Sequence, residues 1–134
     1  MPPKLELVQE WLRSARMDLE SAWHLVRHDP PLLETACFHA QQSIEKALKA
    51  VLLMNEQRPP RIHDLSDLFG LCERWMPDLS ELGSRCEWLT TCAVELRYPD
   101  NPPPITPQLS EDALTSAEAV LESILRNMPP EVHP

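Results

Sequence analysis

The sequence predicts an all-α protein, an up-and-down antiparallel bundle of about five helices. Three observations carry that expectation. Only two glycines occur in 134 residues, β-branched residues are few, and Leu, Ala and Glu abound, which favours helix over sheet. Apolar residues recur every three or four positions over long stretches. Prolines cluster between those stretches, so long helices are joined by short connections.

Each element can be read in order. The first helix is expected from about Leu5 to Arg27, with Leu5, Val8, Leu12, Ala15, Leu19, Ala22 and Val26 as its apolar stripe. Asp29-Pro30-Pro31 stops it, and Asp29 as N-cap with Pro30 as first helical residue would begin the second. That helix reaches about Asn55 before the Gln57-Arg58-Pro59-Pro60 loop, and its inward residues are Ala36, Ala40, Ile44, Ala47, Leu48 and Val51. His63-Asp64 opens a shorter third helix through Leu65, Leu68, Phe69, Cys72 and Trp75, ended by Pro77. Asp78, with Glu81 three residues on as in a capping box, starts a fourth whose stripe is Leu79, Leu82, Cys86, Leu89, Ala93 and Leu96, and Pro99 ends it. After an extended Asp100-Asn101-Pro102-Pro103-Pro104, Ser110 would cap the last helix, with Ala113, Ala117, Val120, Leu121, Ile124 and Met128 facing inward.

Composition bounds the function. A chain of this length suits one domain, residues 1–134 with a core over about 5–128. Cys37, Cys72, Cys86 and Cys92 lack the two-residue spacing of metal knuckles and read as reduced, packed thiols. The N-terminus lacks the apolar run of a signal peptide, and no window approaches the roughly 18 apolar residues of a membrane span, so a cytoplasmic protein with no membrane partner is expected. A net charge of −9 disfavours non-specific binding to long duplex nucleic acid. Residues 42–63 nevertheless hold Lys46, Lys49, Arg58 and Arg61 against Glu45 and Glu56, a local +2, leaving −11 elsewhere. One basic site on an acidic body suits a phosphate-bearing small ligand, a short RNA or a basic protein.

The most informative segment is Ala36 to Leu52. Gln42, Glu45, Lys46 and Lys49 form one polar ridge beside its apolar stripe. The plain reading is a solvated face with helical ion pairs; the sharper one is the wall of a polar groove. His63-Asp64 follows a loop carrying Arg58 and Arg61, where a histidine bonded to a carbonyl is the ordinary alternative. Arg97-Tyr98-Pro99-Asp100 holds the sole tyrosine, and an arginine at a helix C-terminus is favourable on dipolar grounds alone. His24 and His28 lie one turn apart but lack an HExxH carboxylate, so no metal is expected. Two glycines, Gly70 and Gly83, cannot build a phosphate loop, and Trp11, Trp23, Trp75 and Trp88 read as core or interface anchors.

The three polar segments together resemble the small prokaryotic HEPN domain (higher eukaryotes and prokaryotes nucleotide-binding), over about Gln9 to Met128. The resemblance implies a helical bundle that usually forms a homodimer. It is often encoded with a minimal nucleotidyltransferase as a toxin–antitoxin pair. Many relatives cleave RNA; the shorter group is regarded as nucleotide- or substrate-binding. Catalytic members carry an arginine followed four to six residues later by a helical histidine, to stabilise phosphate and move protons. Here Arg97 is followed by Tyr98-Pro99-Asp100-Asn101-Pro102-Pro103, with no histidine. Arg58 with His63 spans a proline loop, and Arg126 with His133 falls in a Pro-rich tail.

The expectation is a non-catalytic nucleotide- or nucleic-acid-binding component of a nucleotidyltransferase pair, with no cofactor. Its ligand site would comprise Gln42, Glu45, Lys46, Lys49, His63, Arg97, Tyr98 and Asp100, with Lys46, Lys49 and Arg97 neutralising phosphate. The alternatives are an RNA-cleaving toxin using Arg58 and His63, and a structural protein-interaction module.

Overall fold

The computed structural model describes residues 1–94 and 105–134. Helices and their connections are the only regular elements among the described residues. They are α1 (Pro3–Arg27), α2 (Leu33–Met54), α3 (Leu65–Cys72), α4 (Leu79–Cys86), α5 (Thr90–Val94) and α6 (Pro107–Arg126), with 3-10 turns at Glu87–Leu89 and Pro130–Val132. Since α4, the first 3-10 turn and α5 follow one another directly, they form the described part of the single fourth helix that the sequence predicts, whose expected end at Leu96 to Pro99 lies outside the described residues; the described residues thus form a bundle of five helices.

The central element is α2, in which 13 of 22 residues are buried. All six inward residues expected from its periodicity are fully buried, as are Ala113, Ala117, Val120 and Ile124 of α6. Small residues bring α1 against α2 closely enough for Ser43 Oγ to donate to the Ala15 carbonyl at 2.8 Å. The two run antiparallel, with Leu32 N bonded to Leu25 O at one end and Lys4 paired with Glu56 at the other.

The connection after α2 decides where the site forms. Residues 55–63 turn back along α2, so His63 meets Gln41 and Glu45, while Cys72 at the far end of α3 donates its thiol to Leu48 O at 3.4 Å. Thus α3 travels in the same sense as α2, packed beside it. Asp64 caps α3 as expected, accepting from Asp67 N at 3.0 Å. Gly83 of α4 lies against Phe69, where an added Cβ would stand 3.2 Å from Cγ, so the absent side chain permits this approach.

Three expected helix starts differ. Pro30 does not begin α2, because the ring of Pro31 pushes its predecessor out of the α region; the helix starts at Leu33, after Leu32 N has bonded Leu25 O. Asp78 makes no capping bond and no box with Glu81, since Leu79 N and Ser80 N already donate to the carbonyls of Met76 and Pro77. Ser110 lies buried inside α6; Thr106 caps it instead, accepting from Leu109 N at 3.1 Å, with Pro107 preset for the first turn. The fourth helix also tightens to 3-10 at Glu87–Leu89. A period of three then keeps Cys86, Leu89 and Cys92 all fully buried.

Candidate functional site

The polar ridge of α2 is not a solvated face. Glu45 and Lys49 are 5% and 6% exposed and Gln41 is fully buried. Buried charge is retained only where it is paired and hydrogen-bonded. Here Lys49 Nζ donates to Glu45 Oε2 at 3.2 Å, Gln41 Nε2 donates to Oε1 at 3.3 Å, and His63 Nδ1 stands 3.1 and 3.2 Å from the two oxygens. Facing a carboxylate, Nδ1 is the ring nitrogen that donates. The His63 side chain is 68% exposed, so the cluster runs from the interior to the surface.

A second acid-centred cluster lies on the α1 side. Asp18 accepts from Lys46 Nζ at 2.7 Å and from His39 Nδ1 at 2.8 Å, all three partly buried. Gln42, half-buried, donates to Gln41 Oε1 at 2.7 Å. Helical geometry explains the division: His39, Gln42 and Lys46 share the face toward α1, while Gln41, Glu45 and Lys49 share the next, toward the returning loop.

The structure thus brings together Gln42, Glu45, Lys46, Lys49 and His63 of the expected site. Lys49 is committed to Glu45 and sealed from solvent, whereas the Lys46 side chain is 27% exposed beside Asp18. Arg97, Tyr98 and Asp100 lie outside the described residues. Arg58 does not join His63 in these contacts; it lines a separate cavity with Arg74 and Trp75. Sequence reasoning missed Asp18, His39 and Gln41 as site residues. Gln41 and His39 carried a signal, as polar residues within an otherwise apolar central helix; Asp18 had none beyond its place beside the α1 stripe. Among the described residues no group of three or more His, Cys, Asp or Glu is arranged to hold a metal.

The four cysteines are free and buried. Burial raises the Cys72 and Cys86 thiols to about 12, which suits packing rather than nucleophilic chemistry. No helix among the described residues is long and apolar enough to cross a membrane.

Comparison with known proteins fits this architecture. A search of curated proteins gives no match. The crystal structure of TT1696 from Thermus thermophilus is similar, with 27% sequence identity, a TM-score of 0.79, and coverage of 90% of this chain and 98% of that one. The HEPN domain model matches residues 8–128, which take in all the clustered polar side chains described above. The chain therefore belongs to the HEPN domain family.

Proposed function

We propose that this protein is a nucleotide- or nucleic-acid-binding HEPN component, itself non-catalytic, that acts as a homodimer with a minimal nucleotidyltransferase in a toxin–antitoxin-related pair. The observation that supports it is the pair of hydrogen-bonded polar clusters on α2, with the partly exposed Lys46 and Gln42 and the exposed His63 at their surface; we take them as the wall of a groove. A groove of this kind offers an ammonium to phosphate and an amide and an imidazole to a base or ribose. Lys49 acts beneath it by holding the Glu45 carboxylate in place at 3.2 Å. Arg97 and Tyr98 would complete the phosphate and base contacts. Calorimetry of the full chain with nucleotides and short RNA tests the reading. Binding that falls about 10-fold in Lys46→Ala supports it; equal affinity in wild type, Lys46→Ala and Arg97→Ala removes the groove as the site.

A second reading has its own observation. His63 is held by a buried carboxylate at Nδ1 while Nε2 faces outward, the arrangement of a general base. Such a base can deprotonate a ribose 2′-hydroxyl, as RNA cleavage requires. Lys49 beside it is sealed against Glu45, so stabilisation of the phosphorane would fall to Lys46 and Arg97.

A further inference from the structure

A cavity of about 400 Å³ opens at the far end of α2, between the returning loop and α3. Its size lies within the range of about 300–1,000 Å³ typical of small-ligand pockets. Arg58 comes from the loop and Arg74 from just beyond α3, and neither forms an ion pair with a carboxylate among the described residues. Arg74 lies over the Trp75 ring at 4.0 Å, which fixes its guanidinium at the cavity wall. Leu52 and the 46% exposed Leu71 supply an apolar side. A Cβ on Gly70 would meet no atom within 4 Å, so the floor is open.

The charge is the telling feature. In a chain with 21 Asp and Glu against 12 Lys and Arg, no acidic residue among the described ones lines this cavity, whereas three other surface cavities, of about 220 to 410 Å³, each present at least one carboxylate. Two guanidiniums with no carboxylate partner among the described residues, on an acidic body, select a doubly charged anion. The C-termini of α2 and α3 oppose an anion nearby. Carbonyls of their last turns are already bonded, Leu52 O to Gln57 N at 2.8 Å and Cys72 O to Trp75 N and Met76 N at 3.1 Å, and a terminal dipole is weaker than a charge-assisted hydrogen bond.

We propose that this cavity binds a nucleoside monophosphate, free or as the 5′-phosphorylated end of an RNA strand, with the phosphate between Arg58 and Arg74 and the base on the Leu52–Leu71 wall. The pocket is separate from the groove across α2 and does not depend on the function assigned to that groove. It explains Arg58 without a catalytic role. The open position at Gly70 leaves room for a planar ring beside α3.

The test is calorimetry of the full chain with AMP, UMP, inorganic phosphate and adenosine, and with one short oligoribonucleotide bearing either a 5′-phosphate or a 5′-hydroxyl. AMP or the phosphorylated strand should bind at least 10-fold more tightly than adenosine or the hydroxyl strand. Arg74→Gln should lose that advantage. Gly70→Leu, an exposed helical change that keeps both arginines, should lose it by filling the floor. Binding of AMP alone or with the strand identifies a free nucleotide; binding of the phosphorylated strand alone identifies an RNA end. Circular dichroism and the melting curve verify folding of each variant. Loss confined to Lys46→Ala, with Arg74→Gln and Gly70→Leu binding like wild type, overturns the pocket and leaves the groove standing; loss confined to the pocket variants does the reverse. Equal affinity for AMP and adenosine, or no binding of any probe, also overturns it.

Discussion

His63 Nδ1 sits 3.1 and 3.2 Å from the two oxygens of Glu45, a contact between residues 18 apart that exists only because the loop after α2 folds back along it. Through it a buried carboxylate is coupled to an exposed imidazole, and the same carboxylate holds the buried Lys49. Any change at Glu45 is therefore felt both in the core and at the surface.

Glu45→Ala leaves the Lys49 ammonium buried without its partner. It should cost about 3–5 kcal/mol in denaturant unfolding, the range for breaking a buried pair. Replacing both residues, as Glu45→Leu with Lys49→Met, should recover most of the loss, because an apolar pair of similar volume carries no desolvation penalty. A single variant as stable as wild type would contradict the burial of this pair.

Asp18 ties α1 to α2 through Lys46 and His39. A double-mutant cycle with Asp18→Asn and Lys46→Met should return a coupling of about 1 kcal/mol, between the values for exposed and buried pairs. Zero coupling would make the 2.7 Å contact energetically silent.

The thiols give a pH dependence with a definite sign. Cys72 and Cys86 have raised folded values of about 12, against roughly 8.5 for a free thiol. Below roughly pH 8.5 both states hold these protons and the contribution is fully present. Above it the unfolded chain ionises first, and stability falls toward pH 12 at about 1.4 kcal/mol per pH unit for each thiol. Urea midpoints measured from pH 8 to 10.5 should decline in wild type and decline less in Cys72→Ala; parallel curves would refute the assignment.

Assembly is expected to be a homodimer. On α1, Leu7 and Met17 are 44% and 61% exposed, with the half-buried Trp11 between them in sequence. Aromatic and methionine side chains of this kind are enriched at interfaces. Light scattering at micromolar concentration should give about twice the 15.4 kDa chain mass, and Leu7→Glu with Met17→Glu should shift it toward monomer. A wild-type monomer there would remove dimerisation from the proposed function.

Purified protein is expected to leave cellular RNA intact. Should cleavage occur and vanish in His63→Ala while Arg58→Ala retains it, the His63–Glu45 pair is the base and Arg58 is not its partner. Cleavage that survives His63→Ala would exclude this histidine.

How much the sequence decided follows from the range of each interaction. Helix spacing is local, so the apolar stripes of α2 and α6 could be read directly, and the Asp64 cap with them, because a cap needs only a side chain three residues from its donor. The caps at Asp78 and Ser110 misled, since several polar residues stand near each start and the backbone around them selects one. The Thr106-Pro107 pair was the better signal for α6. Spacing also placed Gln42, Glu45, Lys46 and Lys49 on one side of α2. It did not say that Glu45 and Lys49 are buried while Lys46 reaches solvent, because burial depends on which neighbours pack there. The tertiary structure alone supplied Asp18 from α1, turned His63 onto Glu45 and sent Arg58 to Arg74, since each of these joins residues distant in sequence. Periodicity fixes which way a side chain points from its own helix; what it meets there is decided by the packing of the whole chain.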